Sequence, residues 1–413
     1  MNKTEVLEYI TNRENSCVEF KRDDCQPDSL AKEMAALLNL KGGVILLGVE
    51  DDGEISGLTR SRTATEEWVM NIARQNLQPG TNPVWTCLEI EQGKEVGIIE
   101  FAADSLGKPY KARRGNAWVT FTRVGSTLRE ATREEEGRLY QAARIIRYET
   151  KMVHNTEFDD FDHARIKNYF QHVLKRAAPA QTENANWRQL LLNSDLLIAD
   201  EGMVGASVAG LLLFGKNPNR QVPQAGVTAV AFLNTVKQYD TGDEEIIRGP
   251  LVSRISKRGK SIEKGVIDRT VDFVERNMGS IAHLEGGRRR RKKAYPMDAV
   301  REAVVNAVAH RDYSHEGTDI EVSLYSDRLE IISPGQLPNG MTVEKMREGV
   351  VRMARNQLLK EILRDYGYIE HYGMGVRNRI IESVRRHNGT EPDLVEEETR
   401  FLVRLWKGSP AVG

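Results

Sequence analysis

Two glutamates and a lysine near the start of the chain have the types and spacing to do chemistry. In "ENSCVEFK", Glu14 and Glu19 stand five apart and Lys21 lies two beyond. "CVEFK" alternates like a strand, and side chains two apart on a strand share a face. Glu19 and Lys21 therefore share one face, with Val18 and Phe20 toward the core. An acid-x-Lys pair on a strand is an arrangement that metal-dependent nucleases use. The carboxylate holds Mg²⁺ or Mn²⁺, and the lysine steadies the attacking water or the phosphate. Hard cations take several oxygen ligands. Glu14 is a second candidate, and Asp51, just after the buried strand "VILLGV", is a third, with Glu50 the alternative in that loop. Neighbouring parallel strands would bring the three acids together. On its own, Glu-x-Lys more often marks an exposed ion pair of small energetic weight.

A second set lies far downstream. "EAVVNAVAHRDY" places Glu302 and Asn306 four apart, on one face of a helix. Val304 and Val308 form a separate stripe suited to a core. In a pocket, the Asn306 carbonyl oxygen could hold Mg²⁺ and Glu302 could position a water. Outside one, both are polar groups on a solvated face. "SPGQLP" supplies Gly335, and "GMGVRN" supplies Gly373 and Gly375 before a helix, where glycines let backbone N–H groups approach phosphates. Gly-x-Gly is also a common helix entry. His310 and His315 flank Asp312 but do not share a face, so packing at a helix end is preferred to metal ligation.

Cations form the third set. "KPYKARRGNAW" carries Lys108, Lys111, Arg113 and Arg114 with Tyr110 and Trp118 interleaved. Lysine and arginine attract phosphates, and aromatic rings can stack on unpaired bases. The cations fit a nucleic-acid surface, and the aromatics fit packing in a hairpin slightly better. "GGRRRRKK" sets six cations in a row, Arg288 to Lys293; it reads equally as a phosphate contact and as a solvated loop.

These groups need elements to hold them. "TEVLEYITN" has helical spacing, and "PDSLAKEMAALLNL" is a helix with a stripe of Leu30, Met34, Leu37 and Leu38, ended by Gly42 and Gly43. "EVGIIEFA" and "AWVTFTRVG" read as strands. "GPLVSRISKRGKSIEKGVIDRTVDFVERNM" reads as a long helical stretch divided near Gly259. "DIEVSLYSDRLEIISPG" reads as a hairpin. Alternating helices and strands predict α/β (α+β) architecture in three parts: 1–150, a middle α/β connecting region 151–280, and 281–413.

Composition narrows the class. At 413 residues, 40% hydrophobic and 29% charged, the chain suits several globular domains, and its net charge of −1 does not by itself announce a polyanion partner. No apolar run approaches the roughly 18 residues of a membrane span. Three scattered cysteines give no disulfide framework, which predicts a cytoplasmic protein with reduced thiols.

The first part resembles the Schlafen/AlbA-like family. The likeness rests on "ENSCVEFK", a helix, "NLKGGVILLGVEDDGEISGL" and the closing "TRVGSTLREAT", over about residues 10–140. The resemblance implies that Glu14, Glu19 and Asp51 are metal-binding catalytic residues beside Lys21, cutting RNA such as transfer RNA. A part in phage defence goes with that reading. Many bacterial relatives are described only as DNA-binding regulators, so nucleic acid is implied more firmly than cleavage.

The last part, about residues 200–410, resembles the GHKL group of ATP-binding domains, in the divergent version that follows AlbA-like domains in bacterial regulators. "EAVVNAVAHRDY", "SPGQLP" and "GMGVRNRI" carry the likeness. It implies that Asn306 binds Mg²⁺, that Glu302 activates water, and that Gly335, Gly373 and Gly375 line the nucleotide. Ser333-Pro334-Gly335 stands where the group normally has Asp-x-Gly, which bears on adenine recognition and on hydrolysis. "RMARNQLL", Arg352 to Leu359, lies where a lid would cover the nucleotide.

The expectation is thus a nucleotide-regulated, Mg²⁺- or Mn²⁺-dependent nuclease with weak ATPase activity, or an ATP-responsive DNA-binding regulator that does not cut. Its expected partners are RNA or DNA, a nucleotide and a second copy of the chain.

Overall fold

The computed structural model describes residues 1–102, 107–143, 147–180, 183–285, 288–338, 341–349, 354–369, 374–397 and 399–408, with 282–285 and 288–290 described by their backbone. Contacts divide the chain into two compact units, 1–146 and 147–413. No helix among the described residues is long and apolar enough to cross a membrane.

The first unit runs α1 (Lys3–Asn12), β1 (Val18–Lys21), α2 (Pro27–Asn39), β2 (Gly43–Leu47), α3 (Arg62–Gln75), β3 (Leu77–Gln78), β4 (Val84–Glu91), β5 (Lys94–Phe101), β6 (Lys111–Arg114), β7 (Ala117–Val124), β8 (Thr127–Glu130) and α4 (Arg133–Ala142). One sheet has the order β1-β2-β5-β4 and the other β3-β6-β7-β8. β1 and β2 are parallel, with Glu19 opposite Ile45 and Lys21 opposite Leu47. Val18, Phe20, Val44 and Leu46 face α1 through Val6. Ile45 and Leu47 face α2 through Leu30, Met34 and Leu37.

Helix α2 lies between the two sheets, so it is buried nearly all round. The apolar stripe expected from its sequence is there, but Ala31, Glu33, Ala35, Ala36 and Asn39 are buried with it. Asn39 ties the layers together. Its Nδ2 donates to the Tyr110 and Phe121 carbonyls, each at 2.8 Å, and its Oδ1 accepts the Tyr110 amide at 2.8 Å. Gly43 is required where β2 starts. A Cβ there would sit 2.3 Å from the Cys17 carbonyl oxygen, and that carbonyl accepts the next amide, Val44, at 2.8 Å.

The second unit continues with α5 (His163–Asn168), α6 (Asn184–Leu192), β9 (Leu197–Asp200), β10 (Met203–Ala206), α7 (Val208–Phe214), α8 (Pro218–Gln221), β11 (Gly226–Phe232), β12 (Thr241–Arg248), β13 (Arg254–Ile255), β14 (Ser261–Glu263) and α9 (Val266–Asn277). After these come β15 (Ser280–Glu285), β16 (Arg288–Lys293), α10 (Met297–His310), β17 (Ile320–Leu324), β18 (Arg328–Pro334), α11 (Val343–Glu348), α12 (Gln357–Asp365), a π-helical turn Gly375–Ile381, α13 (Glu382–Asn388), β19 (Asp393–Glu396) and β20 (Arg400–Trp406). Its main sheet has the order β12-β11-β17-β18-β20-β19, in which only β11 and β17 are parallel. Strands β11 and β12 come from the middle stretch of the sequence, yet β11 pairs directly with β17 from the last. The supposed long helix over 249–278 is instead a short β13–β14 hairpin followed by α9 alone. Gly259, at φ +74°, makes the hairpin turn, and Ser256 N–H donates to the Lys260 carbonyl.

Helix α10 packs against α9, β18 and the π turn, burying Val300, Val304 and Val308. Its C-terminal carbonyls are met by buried Asn356, whose Nδ2 donates to Ala309 at 3.0 Å and Arg311 at 2.8 Å.

Candidate functional site

β1 puts Glu19 and Lys21 on the face that α2 covers, so Glu19 is 3% exposed. Across from it, α2 presents Glu33 and β7 presents Arg123, whose side chain is 0% exposed. Arg123 Nη1 donates to Glu33 Oε2 at 2.8 Å, and Nη2 lies 2.6 Å from Glu19 Oε2. Nη2 also donates to the Asn15 and Ser126 carbonyls at 3.1 and 3.2 Å. Its hydrogens are spent there, so the contact with Glu19 Oε2 is one of charge and that oxygen lacks a hydrogen bond. Lys21 Nζ donates to Glu19 and lies 3.8 Å from Glu33. Two carboxyls thus meet two cations in the interior, which limits the desolvation cost of each.

Burial and the Glu19 carboxylate push Glu33 up to about 7. Burial pulls the Lys21 pKa down, but hydrogen bonding to Glu19 and the charges of Glu19, Glu33 and Glu14 together outweigh it, and the pKa is raised.

Glu14 precedes β1, and its Oε1 accepts the Phe20 amide at 2.9 Å. Its pKa is raised, chiefly by burial, with further push from Glu19 and Asp51. Glu14 is therefore within electrostatic reach of both other acids. Asp51 itself is exposed on the turn after β2, where Gly53 N–H donates to the Glu50 carbonyl. Glu50 lies 4.0 Å from Arg22. A hard divalent cation would need several of these oxygens together. Glu19 is held by Arg123 and Lys21, Glu14 caps an amide, and Asp51 stands in solvent. Among the described residues no group of three or more His, Cys, Asp or Glu is arranged for a metal ion. As they stand, the acids do not fit a resident Mg²⁺ or Mn²⁺.

The basic hairpin divides by burial. Lys108 is buried, with its ammonium on the Leu40 carbonyl, and does not join a cationic face. Tyr110 is buried as well, beside Asn39. Lys111 is 2.7 Å from Glu136, which raises its pKa. Arg113 and Arg114 are exposed at the β6–β7 turn. Arg113 lies 5.2 Å from the Trp118 ring, and Arg114 pairs with Glu130. Of the four cations proposed to meet nucleic acid, these two are best presented.

In the second unit, Glu302, Asn306, Gly335 and Gly375 line one cavity of about 290 Å³. Asn306 Nδ2 donates to Glu302 Oε1 at 3.0 Å, which leaves the amide oxygen as the atom able to meet a cation. Gly375 is needed here. A Cβ on it would fall 1.9 Å from Glu302 Oε1. Gly335 N–H is already given to the Thr399 carbonyl at 2.7 Å, so it shapes the wall without offering that amide. Ser333 Oγ donates to the Ala307 carbonyl at 2.8 Å. Gly373 and Arg352 lie outside the described residues. Arg355, from the expected lid, is committed to Asp312 at 3.2 Å and to the His310 and Gln336 carbonyls.

Sequence reasoning missed two groups on the same wall, Lys360 and Arg364 from α12. His310, read from the sequence as packing at a helix end, also lines the cavity, and burial with the nearby Lys360 and Arg355 holds it neutral, at about 4. His315 is 4.0 Å from Asp312, whose oxygens are occupied by Ser314 and Arg355.

Residues 14–132 match the family model described as "Schlafen, AlbA_2", and 317–405 match the one described as "Putative ATP-dependent DNA helicase recG C-terminal". The chain carries a Schlafen AlbA_2 domain and a RecG-related, HATPase_c-type C-terminal domain. Residues 138–227 match a model described as a domain of unknown function. The AlbA_2 match spans Glu14, Glu19, Glu33, Asp51 and Arg123, whereas the C-terminal match begins after Glu302 and Asn306. No curated protein matches the chain. Among solved structures it is similar to the DIP2311 protein from Corynebacterium diphtheriae, at 21% identity and TM-score 0.44, covering 99% of this chain and 80% of that one. A second is the N-terminal domain of a "Putative ATP-dependent DNA Helicase RecG-related Protein" from Nitrosomonas europaea. That match has 22% identity and TM-score 0.25, covering 32% of this chain and 93% of that one.

Proposed function

We propose that this protein binds nucleic acid through its AlbA_2 domain and ATP through its C-terminal domain, and that the nucleotide tunes nucleic-acid affinity, as in an ATP-responsive DNA-binding regulator. The observation that carries this reading is the cavity where Gly375 abuts the Glu302–Asn306 pair. Its volume sits near the small end of the range for ligand pockets. Asn306 is the residue for a nucleotide-borne Mg²⁺, and Lys360 and Arg364 supply positive charge for phosphates. Ser333 has its proton committed to Ala307, so it faces a base as an acceptor, the role that aspartate plays in the GHKL group. Arg113 and Arg114 are the exposed cations of the AlbA_2 domain suited to a phosphate backbone. Titration of a fluorescent ATP analogue, followed by DNA and RNA binding with and without ATP and Mg²⁺, tests it. Absence of nucleotide binding, or nucleic-acid affinity indifferent to ATP, defeats the reading.

A second reading, a metal-dependent nuclease acting on RNA, draws on Glu14 lying within electrostatic reach of both Glu19 and Asp51. It requires Arg123 to give up Glu19. Incubating RNA and single-stranded DNA with the wild type, Glu14→Ala and Glu19→Ala in Mn²⁺ decides it. Intact substrate with the wild type rules cleavage out.

A further inference from the structure

The six-cation run Arg288–Lys293 is not a loop. It forms β16, which pairs with β15 as a two-stranded ribbon with no other strand beside it among the described residues. The register pairs Ser280 with Lys293, Ala282 with Arg291 and Leu284 with Arg289 on one face. The other face pairs Ile281 with Lys292, His283 with Arg290 and Glu285 with Arg288. Both faces are therefore cationic, and Glu285 is the ribbon's one carboxylate.

The base of the ribbon is anchored. Ile281, Ala294 and Tyr295 are buried in the core of the unit. Lys292 Nζ donates to the His387 carbonyl, and Asn388 Nδ2 donates to the Ala294 carbonyl at 3.3 Å. Arg291, one residue above that base, and Lys293 within it are exposed, Lys293 pairing with Glu275. The basic last turn of α13, with exposed Arg386, adjoins the base. Lys407 Nζ also comes close there, 3.7 Å from where a Cβ on Gly279 would be. On a chain of net charge −1 this concentration of positive charge is local.

The geometry points to this ribbon as a DNA-binding element that enters the groove of a duplex, separate from the AlbA_2 domain. Cations alternate along a strand about 6.6 Å apart on each face. A flat anionic surface would meet one face only, whereas a groove has a phosphate rail on each side. The B-form major groove admits a two-stranded ribbon, and the A-form groove of RNA is too narrow. The affinity contributed is electrostatic and sequence-independent.

The test uses the full chain and a mixed-sequence DNA duplex, read by fluorescence anisotropy across a salt series. The variant carrying Arg289→Gln, Arg291→Gln and Lys293→Gln should bind at least about tenfold more weakly and lower the salt slope by about 2 to 3. Replacing both arginines by lysine should preserve binding, and an unchanged melting temperature confirms that the fold is intact. Arg113→Gln with Arg114→Gln, run in parallel, reports on the AlbA_2 surface, so failure of one surface is read apart from failure of the other. Unchanged affinity and slope in the folded triple variant overturn the proposal. Equal losses on duplex RNA, or losses confined to phosphatidylserine vesicles, overturn it in favour of another polyanion.

Discussion

Arg123 Nη2 and Glu19 Oε2 meet at 2.6 Å inside the AlbA_2 domain, both side chains out of solvent's reach. Removing this cation leaves Lys21 alone against two buried carboxyls, Glu19 and Glu33. Arg123→Met should therefore cost about 3–5 kcal/mol, the range for breaking a buried pair from one side. Urea unfolding checks it. Adding Glu19→Met should recover part of the loss, because a charge without its partner costs more than a matched apolar pair.

Glu33 gives a pH signature with a definite sign. Its folded pKa is raised to about 7 from the ordinary 4.5, chiefly by burial. A raised carboxyl contributes stability that is complete below the unfolded pKa and fades as pH climbs through the folded one. Wild type should lose stability between pH 4.5 and 7, on the order of 3 kcal/mol from this group. Glu33→Gln, fixed in the neutral form, should flatten that part of the profile. Thermal melts of both proteins across this window measure the difference.

Gly375→Ala drives a methyl into Glu302. Because the clash is with the end of a flexible side chain, the fold should survive with a loss of no more than about 1–2 kcal/mol. Glu302 must swing off Asn306, however, and affinity for an ATP analogue should fall about tenfold, or about 1.4 kcal/mol. Equilibrium titration against wild type reads it, with circular dichroism as the control for folding.

Asn39→Leu should be among the most damaging single changes in the first unit. It removes the hydrogen bonds that Asn39 makes to two carbonyls and one amide, at about 1–3 kcal/mol for each bond lost in the interior. A melting temperature close to that of the wild type would show that the two layers are held by packing alone.

Local pattern made much of this legible. Alternation in "CVEFK" located β1, and the i, i+4 spacing of Glu302 and Asn306 located their shared face. Glycine punctuation marked Gly43 and Gly375 as special. What escaped was set by partners distant in sequence. Glu33 lies 90 residues before Arg123, and nothing in "SLAKEMAALL" tells that a second sheet will cover the helix's other side. For the same reason Lys108 read as a surface cation, although the fold spends it on a carbonyl. In the β13–β14 region, Gly259 reads locally as a break in a helix, yet it is the turn of a hairpin whose strands only their pairing reveals.

The parallel pairing of β11 with β17 has a practical consequence for dividing the chain. A fragment beginning at residue 281 would lack β11 and β12, so the amides and carbonyls of β17 along Ile320–Leu324 would become a bare strand edge. Such an edge recruits other strands, and that fragment should precipitate on expression. A cut between 146 and 147 severs no strand pair in the second unit, and fragments made there are the ones to purify for testing each half alone.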